Sequence, residues 1–363
     1  MELQISLHDS MIDLPGHEVK GVSVVVCIFN GSARLPTTLS HIFSQEVPPH
    51  IPWEVIVVDN ASTDGTFSTA RNCRPPENRV PYRVFSEPIP GVQFARIKAL
   101  KMARFSYLCF VDDDAWIDRN YVRTVYNTLN DHPEVAVCGG DVSLETDKMP
   151  PDWFIAHQKA FAVGRQGEER GYIPPSPGVI LGIGMGIRKS AWRELLDAGF
   201  RQIMNGRVAG NLTGGEDNEL CFALQLVGWK LWYEPDLKVR HAISSDRLTW
   251  NYLRDNRRGH GAARLWLAYY AELLCPEKQK KLMTDKWVVF TVSIVGKLIQ
   301  RWHHVVLGVA RIQGSTRALK YEIRMGCLQE VIRNRHIFRQ KVSGIREAPW
   351  LKLWRERGKD VLV

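Results

Sequence analysis

The sequence predicts an α/β fold, a mainly parallel sheet flanked by helices, followed by a C-terminal α-helical region. Through the first 240 residues, apolar runs of strand length alternate with segments of helical spacing. That order lays parallel strands side by side with crossover helices on the faces. The runs show little period-two alternation, as strands buried on both faces do. From about residue 249 onward the strand-like runs stop, and Trp, Leu, Ile and Val interleave with Arg and Lys at helical spacing.

In chain order, "VSVVVCIF" (22–29) is the first expected strand and "LPTTLSHIFSQ" (35–45) the first helix. "WEVIVVDN" (53–60) with "GTFSTARNC" (65–73), and "YRVFSE" (82–87) with "QFARIKALKMA" (93–103), repeat the unit. "YLCFVDDD" (107–114), "RNYVRTVYNTLNDH" (119–132) and "EVAVCGGDV" (134–142) continue it. "GRQGEERGYIPPSPG" (164–178) has neither period and is a candidate active-site loop. "GGEDNELCFALQLVGWKLWYEPDLKVRH" (214–241) reads as an amphipathic helix, then the strand-like "WKLWYEP", ending at His241. The expected division is an N-terminal tail at 1–20, the α/β domain at 21–260 and a basic amphipathic helical region at 261–363.

A chain of 363 residues with 45% hydrophobic and 24% charged residues can bury a sizeable core. Seven cysteines form no C-x-x-C pair, and Cys27, Cys109 and Cys138 sit inside strand-like runs. They read as small core residues, not as disulfides or zinc ligands. The first residues have no basic start and no long apolar run, so cytosolic residence is the expectation. The net charge of +9 is uneven: 24 Lys and Arg against 10 Asp and Glu from His241 onward, and 24 against 29 before it. A basic, aromatic-bearing region suits nucleic acid, but a helical region facing an anionic membrane is the more economical reading, and no nucleic-acid partner is expected. The most apolar stretch, "WVVFTVSIVGKLIQRWHHVVLGVARI" (287–312), is interrupted by Lys297, Arg301, His303 and His304. Its uninterrupted runs fall short of the ~20 residues that span a bilayer. With Trp287 and Trp302 it reads as a helix lying in the headgroup layer, although a buried bundle helix also fits. "RALKYEIRMGCLQEVIRNRHIFRQK" (317–341) adds a second basic amphipathic segment.

Ligands of open α/β sheets bind beyond the carboxyl ends of the strands. Those ends carry Asn30, Asp59, Asn60, Glu87 and the triplet Asp112, Asp113, Asp114. Clustered carboxylates repel, and a hard divalent ion such as magnesium or manganese would compensate them. In an extended backbone Asp112 and Asp114 would point the same way; the triplet equally suits a solvated turn capping the helix near Asp118. Glu216 and Asp217 open a helix whose dipole stabilises a carboxylate able to take a proton from a hydroxyl. A capping box would use the same residues, and His241 alone also fits a packed histidine.

Taken in order, "SVVVCIFN", "WEVIVVDNASTDGT", "PGVQFARIKAL", "FVDDDAWID", "GIGMGIRKSAW" and "GGEDNELCFALQLVGWKLWYEP" closely resemble the family 2 glycosyltransferases over roughly residues 20 to 260. The resemblance implies a GT-A fold that binds a nucleotide-diphospho-sugar. It implies that Phe29, Asn30 and Asp59 form the nucleotide pocket, that Arg96 faces the diphosphate, and that Asp113 lies on the same donor-binding edge. Asp112 looks like the ribose or metal-shell residue, Asp114 like the direct ligand of a manganese or magnesium ion, and His241 like the residue completing that site. Asp217, beside Glu216 in the E-D pair, resembles the general base of inverting members. Two positions depart from the pattern: Ile97 follows Arg96 where an Asn is usual, and Ile183 and Gly184 precede Met185 where many relatives carry a small or amide residue. Arg254, Arg257 and Arg258 occur without a Q-x-x-R-W motif, which implies addition of one sugar and not polymer synthesis.

The expected protein is an inverting, metal-dependent, non-processive transferase. It would move one sugar from a nucleotide-diphospho-sugar to a glycan or lipid-linked acceptor in bacterial polysaccharide biosynthesis, peripheral on the inner face of the membrane. A sugar-nucleotide nucleotidyltransferase is the alternative, although "IFNGSARLP" is a poor phosphate loop. A noncatalytic nucleotide-sugar binder is the other.

Overall fold

The structure is a computed structural model that describes residues 19–175, 178–204, 206, 214–275 and 284–352. The expected tail lies outside these residues, save Val19 and Lys20, which open the first strand. The first half follows the predicted order: β1 (Val19–Ile28), α1 (Leu35–Phe43), β2 (Trp53–Asn60), α2 (Thr66–Asn72), β3 (Tyr82–Glu87), α3 (Val92–Met102) and β4 (Phe105–Phe110). β1 pairs in parallel with β2 and β4, setting Val24 between Val55 and Cys109, and β2 pairs in parallel with β3. Val24, Val26, Val55, Val57 and Cys109 face one apolar cluster, while Val25, Ile56, Val58, Leu108 and Phe110 face the other. Helices cover both faces, so each strand is apolar at successive positions and loses its period-two signal.

The second half contains β5 (Ala115–Ile117), α4 (Tyr121–Asp131), β6 (Val135–Glu145), α5 (Phe154–His157), β7 (Gly171–Ile173), β8 (Met185–Arg188), α6 (Lys189–Asp197), α7 (Glu216–Leu226) and β9 (Lys230–Ala242). The sheet order is β3-β2-β1-β4-β8-β6-β9-β5, with β7 also on β9. β8 lies antiparallel between β4 and β6, so the sheet is mixed beyond β4. The antiparallel pair of β5 and β9 sets Ala115 opposite His241, and the N–H of Ala242 donates to the carbonyl of Asp114 (2.8 Å). This pairing brings a residue of the aspartate triplet to a histidine more than a hundred positions later.

The C-terminal part consists of α8 (Trp250–Leu274), α9 (Trp287–Gln300), α10 (Trp302–Val309), α11 (Thr316–Arg333) and α12 (Phe338–Arg346). Thr249 caps α8 by accepting from the N–H of Tyr252 (3.3 Å). The expected boundary at residue 260 is corrected, because it falls inside this single helix. Trp266, Tyr269 and Tyr270 of α8 and Phe338, Val342 and Ile345 of α12 share one apolar cluster with Phe110, Trp192 and Leu224. The shift to basic composition therefore marks an outer face and not a domain edge.

α8 and α11 cross through glycines. A Cβ at Gly261 would strike the backbone carbonyl of Ile323, and one at Gly326 the carbonyl of Arg258. Beside this crossing the buried Glu322 pairs with Arg254 (2.5 Å) and Arg258 (2.5 Å). The α9–α10 pair turns Ile294, His304 and Gly308 inward and exposes Val288, Val289, Val292, Ile299, Trp302, Val306 and Val309. Among the described residues no helix is long and apolar enough to cross a membrane.

Candidate active site

A cavity of about 670 Å³ opens at the carboxyl ends of β1 and β4, between the starts of α3 and α7 and one face of α8. Asn60, the last residue of β2, sets where α3 begins. Its amide donates to the carbonyls of Ile89 (2.6 Å) and Glu87 (3.3 Å), and its Oδ1 accepts from the N–H of Gly91 (2.8 Å), the residue preceding α3. One turn later Arg96 enters the cavity wall, 5% exposed, with its guanidinium 5.4 Å from the Phe110 ring centroid.

Arg96 forms an ion pair with Oδ1 of Asp217, and the N–H of Gly182 donates to Oδ2 of the same carboxylate (2.8 Å). Burial works against the Arg96 charge, but Asp217, then Glu216 and Asp112, outweigh it and raise its pKa. Gly182 has a steric reason to be glycine, since a Cβ there would collide with Asp217 Oδ2 and Arg96 Nη2. Glu216, also in the first turn of α7, is buried and lines the cavity. Glu219, fully buried, accepts from the N–H groups of Ile203 (2.8 Å) and Met204 (3.0 Å) and from the Tyr270 hydroxyl (2.7 Å). It ties the start of α7 to α8 and so fixes the helix that carries Asp217. Burial, only partly offset by those bonds, pushes its carboxyl up to about 7.

The expected extended D-x-D is instead a turn, closed by the N–H of Ala115 donating to the carbonyl of Asp112 (3.0 Å). The three carboxylates consequently take different surroundings. Asp112 lines the cavity, and burial together with Asp114 raises its pKa against the pull of Arg96. Asp113 is drawn to α1: its carboxylate accepts from Arg34 (2.5 Å) and its carbonyl accepts from the Thr38 hydroxyl (2.7 Å). Burial, with Asp114 adding repulsion, pushes the Asp113 carboxyl up to about 6. Asp114 accepts from Arg247 (2.9 Å) and faces His241 Nε2 at 3.5 Å. Burial opposes its ionisation, but His241 and Arg247 together hold its carboxyl well below the usual range.

The His241 ring shows whether a metal suits this edge. Its Nδ1 lies 2.9 Å from the carbonyl oxygen of Phe161, which can only accept, so Nδ1 carries the hydrogen. Nε2 faces Oδ1 of Asp114, whose Oδ2 accepts from Arg247, so this edge offers one imidazole nitrogen and one carboxylate oxygen to a cation. Backbone orientation of the far ring nitrogen is the usual support for a metal-bound histidine. The pair thus fits a divalent ion. Asp112 does not close the expected three-residue set, as no group of three or more His, Cys, Asp or Glu side chains with metal-holding geometry occurs among the described residues.

The expected nucleotide pocket divides. Phe29 lines the cavity and is half exposed. Asp59 is buried, and its Oδ1 has no hydrogen-bond partner among the described residues. Asn30 adopts a left-handed backbone (φ 47°); its Oδ1 accepts from the N–H of Thr63 (2.8 Å), and its own N–H donates to Ser62 Oγ (2.9 Å). Its amide oxygen clamps two strand-end loops together. The candidate loop at 164–178 is also corrected. Its described residues lie outside the cavity lining, Gln166 bridges the carbonyl of Gly140 (2.9 Å) and the N–H of Leu181 (2.7 Å), and β7 joins the sheet. Sequence reasoning missed Gly182 and Arg247, for which the only signals are the glycines of "GIGMG" and an arginine six positions after His241.

Residues 23–196 match the family described as Glycosyl transferase family 2. The segment belongs to that family. Its curated relatives include EpsH of Bacillus subtilis (strain 168), which carries a glycosyltransferase name, at 26% identity over 38% of this chain and 39% of that protein. The hyaluronan synthase of Pasteurella multocida is 27% identical over 39% of this chain and 14% of its own length. The chain thus spans well under half the length of the curated relatives it matches. Among solved structures, S. aureus TarS 1–349 in complex with UDP aligns at 18% identity over 88% of this chain and 91% of that chain, with a TM-score of 0.47. At that score no residue role transfers from it. The family 2 segment contains Asp59, Arg96, Gly182 and the aspartate triplet, whereas Asp217, His241 and Arg247 lie beyond its end.

Proposed function

We propose that this protein is an inverting, non-processive glycosyltransferase that moves one sugar from a nucleotide-diphospho-sugar to a hydroxyl of a glycan or lipid-linked acceptor, in bacterial polysaccharide biosynthesis. The observation that carries the reading is the placement of Asp217. It stands at the start of a helix on the cavity wall, with both oxygens oriented by Arg96 and Gly182, in a cavity that also holds the acidic strand edge of a family 2 segment.

Asp217 accepts the proton of the acceptor hydroxyl as the acceptor oxygen bonds to the anomeric carbon. The bond from that carbon to the diphosphate breaks, and the nucleoside diphosphate leaves with the electron pair. One displacement inverts the anomeric configuration. Arg96 fixes the carboxylate, and Arg247 offers a cation to the departing phosphate beside Asp114. A manganese or magnesium ion would be held by Asp114 and His241, with Asp112 nearby, and when bound it stabilises the leaving group's charge as a Lewis acid. The orphaned Oδ1 of Asp59 suits an N–H of the nucleobase, with Phe29 at the cavity edge. The exposed apolar face of α9 and α10, with Lys297, Arg301 and Arg311 in the same stretch, fits the anionic inner face of a membrane.

The test is nucleoside diphosphate release from a panel of UDP-, GDP- and dTDP-sugars with manganese, in wild-type protein and in Asp217→Asn. The variant should keep donor affinity and lose transfer by roughly 10²–10⁴-fold, the worth of a positioned general base. Near-normal turnover would remove Asp217 from the mechanism, and pyrophosphate release from a sugar phosphate plus NTP would mark a nucleotidyltransferase instead.

A further inference from the structure

The face of α8 that lines the cavity carries two polar atoms that the described chain leaves unsatisfied, Asn256 Oδ1 and Arg257 Nε. Asn256 and Arg257 lie on that wall, followed by His260 and Arg264 on the next turns. Asn256 is 2% exposed, and its Oδ1 has no partner among the described residues. Arg257 Nε is buried without a partner, and no hydrogen bond or ion pair to its guanidinium occurs among the described residues. The contrast with its neighbours is informative: Arg254 and Arg258 are both committed to the buried Glu322. Burial alone, with no compensating carboxylate, pushes the Arg257 pKa down. A partly buried cation with no carboxylate beside it and a buried amide oxygen both cost free energy unless a ligand completes them.

The chemistry of the missing ligand follows from those two groups. A guanidinium fork takes the oxygens of a phosphate, and a lone amide oxygen takes a hydroxyl hydrogen. Lys159 and Arg264 line the same cavity and add charge suited to a dianion, while Ala263, Leu267 and Ile323 line it with apolar surface. The donor's diphosphate is already provided for at Asp114, His241 and Arg247, on other elements of the wall. We propose, resting on the glycosyltransferase reading above, that the α8 wall is an acceptor subsite for a phosphate-bearing sugar: Arg257 binds the phosphate and Asn256 Oδ1 accepts from a neighbouring hydroxyl.

The experiment uses the full chain saturated with manganese and whichever of UDP, GDP and dTDP binds most tightly. Glucose 1-phosphate, glucose and glucuronate are then titrated in by calorimetry. Glucose 1-phosphate should bind the nucleotide-loaded protein, with the other two at least about 10-fold weaker. Arg257→Gln should weaken glucose 1-phosphate by about 10- to 100-fold, the range for a charged hydrogen bond, with nucleotide affinity changed less than about 2-fold. Arg257→Lys, which keeps the charge and loses the fork, should fall between, and it serves as the test variant should the glutamine protein fail to fold. Displacement of glucose 1-phosphate by nucleotide, or equal loss of both ligands in the variants, would assign the wall to the donor and overturn the proposal. Equal binding of glucuronate, or no binding of glucose 1-phosphate, would overturn it too. These readouts need no turnover, so they are separate from failure of the donor panel, which would overturn the glycosyltransferase reading instead.

Discussion

Substituting Gly182 by alanine tests the geometry around Asp217 with a single methyl group. The backbone at 182 is not left-handed, so alanine is conformationally permitted and the perturbation is purely steric. The new methyl collides with Asp217 Oδ2 and Arg96 Nη2 unless the ion pair moves. Both are anchored: Arg96 by its burial over Phe110, and Asp217 by the 2.8 Å bond from the Gly182 N–H. Crowding of this kind costs about 1–3 kcal/mol of stability. A displacement of about 1 Å at a reacting group costs about 10²-fold in rate. Gly182→Ala should therefore lose about 10²-fold in turnover, measured as nucleoside diphosphate release, while donor affinity by calorimetry stays within a few-fold. Gly296→Ala is the control, because a Cβ there meets nothing within 4 Å and the residue lies in the interior of α9. It should gain about 0.5–1 kcal/mol of stability with turnover unchanged. Wild-type turnover and Tm in Gly182→Ala would refute the claim that this glycine positions the base.

Three further outcomes are expected. Asp114→Ala should weaken nucleotide binding in manganese but leave the weaker binding in EDTA nearly unchanged, as calorimetry would show; equal loss in both would make Asp114 a structural residue. Glu219 binds its proton more tightly folded than unfolded, so its contribution to stability is largest below its unfolded pKa and is lost as pH rises toward and through about 7. The shift corresponds to about 3 kcal/mol at most, and Glu219→Gln should flatten the dependence of Tm on pH in this interval; an unchanged slope would assign it elsewhere. Liposomes containing anionic lipid should sediment the protein at low salt and release it at high salt, and replacing Val292, Ile299 and Val306 by serine should abolish sedimentation; retention by that variant would exclude the α9–α10 face.

The first half of the fold was legible because burial on both faces leaves uninterrupted Val and Ile runs such as "VSVVVCIF", and the strand ends follow from them. β8 was not legible, since four residues are too few to show a period and its antiparallel insertion is a tertiary outcome. Asp217, Arg96 and Asp114 all line the cavity. Their partners escaped because they come from distant segments: Gly182 speaks only through the absence of a side chain, and Arg247 only through folding of the strand-to-α8 connection onto Asp114. Asn30 carries two signals at once. Its place at a strand end suggested a ligand contact, whereas a left-handed backbone position favours asparagine for local reasons. The α8 boundary was misplaced because charge composition reports what faces outward, while the apolar face of the helix carries the continuity.

The glycine crossing of α8 and α11 has a mechanical consequence. Along the chain, α9 and α10 leave from the end of α8 and return into α11, so this excursion is pinned at its base where Gly261 and Gly326 let the two backbones touch. Ile323, against which Gly261 packs, also lines the cavity. A tilt of the valine-rich face would therefore reach the cavity wall through this crossing. The mouth of the cavity would follow that face in height and attitude, like a tool on a short arm. Under the transferase reading proposed above, an acceptor hydroxyl presented at the wrong depth would fail to reach Asp217 whatever side chains recognise the rest of it.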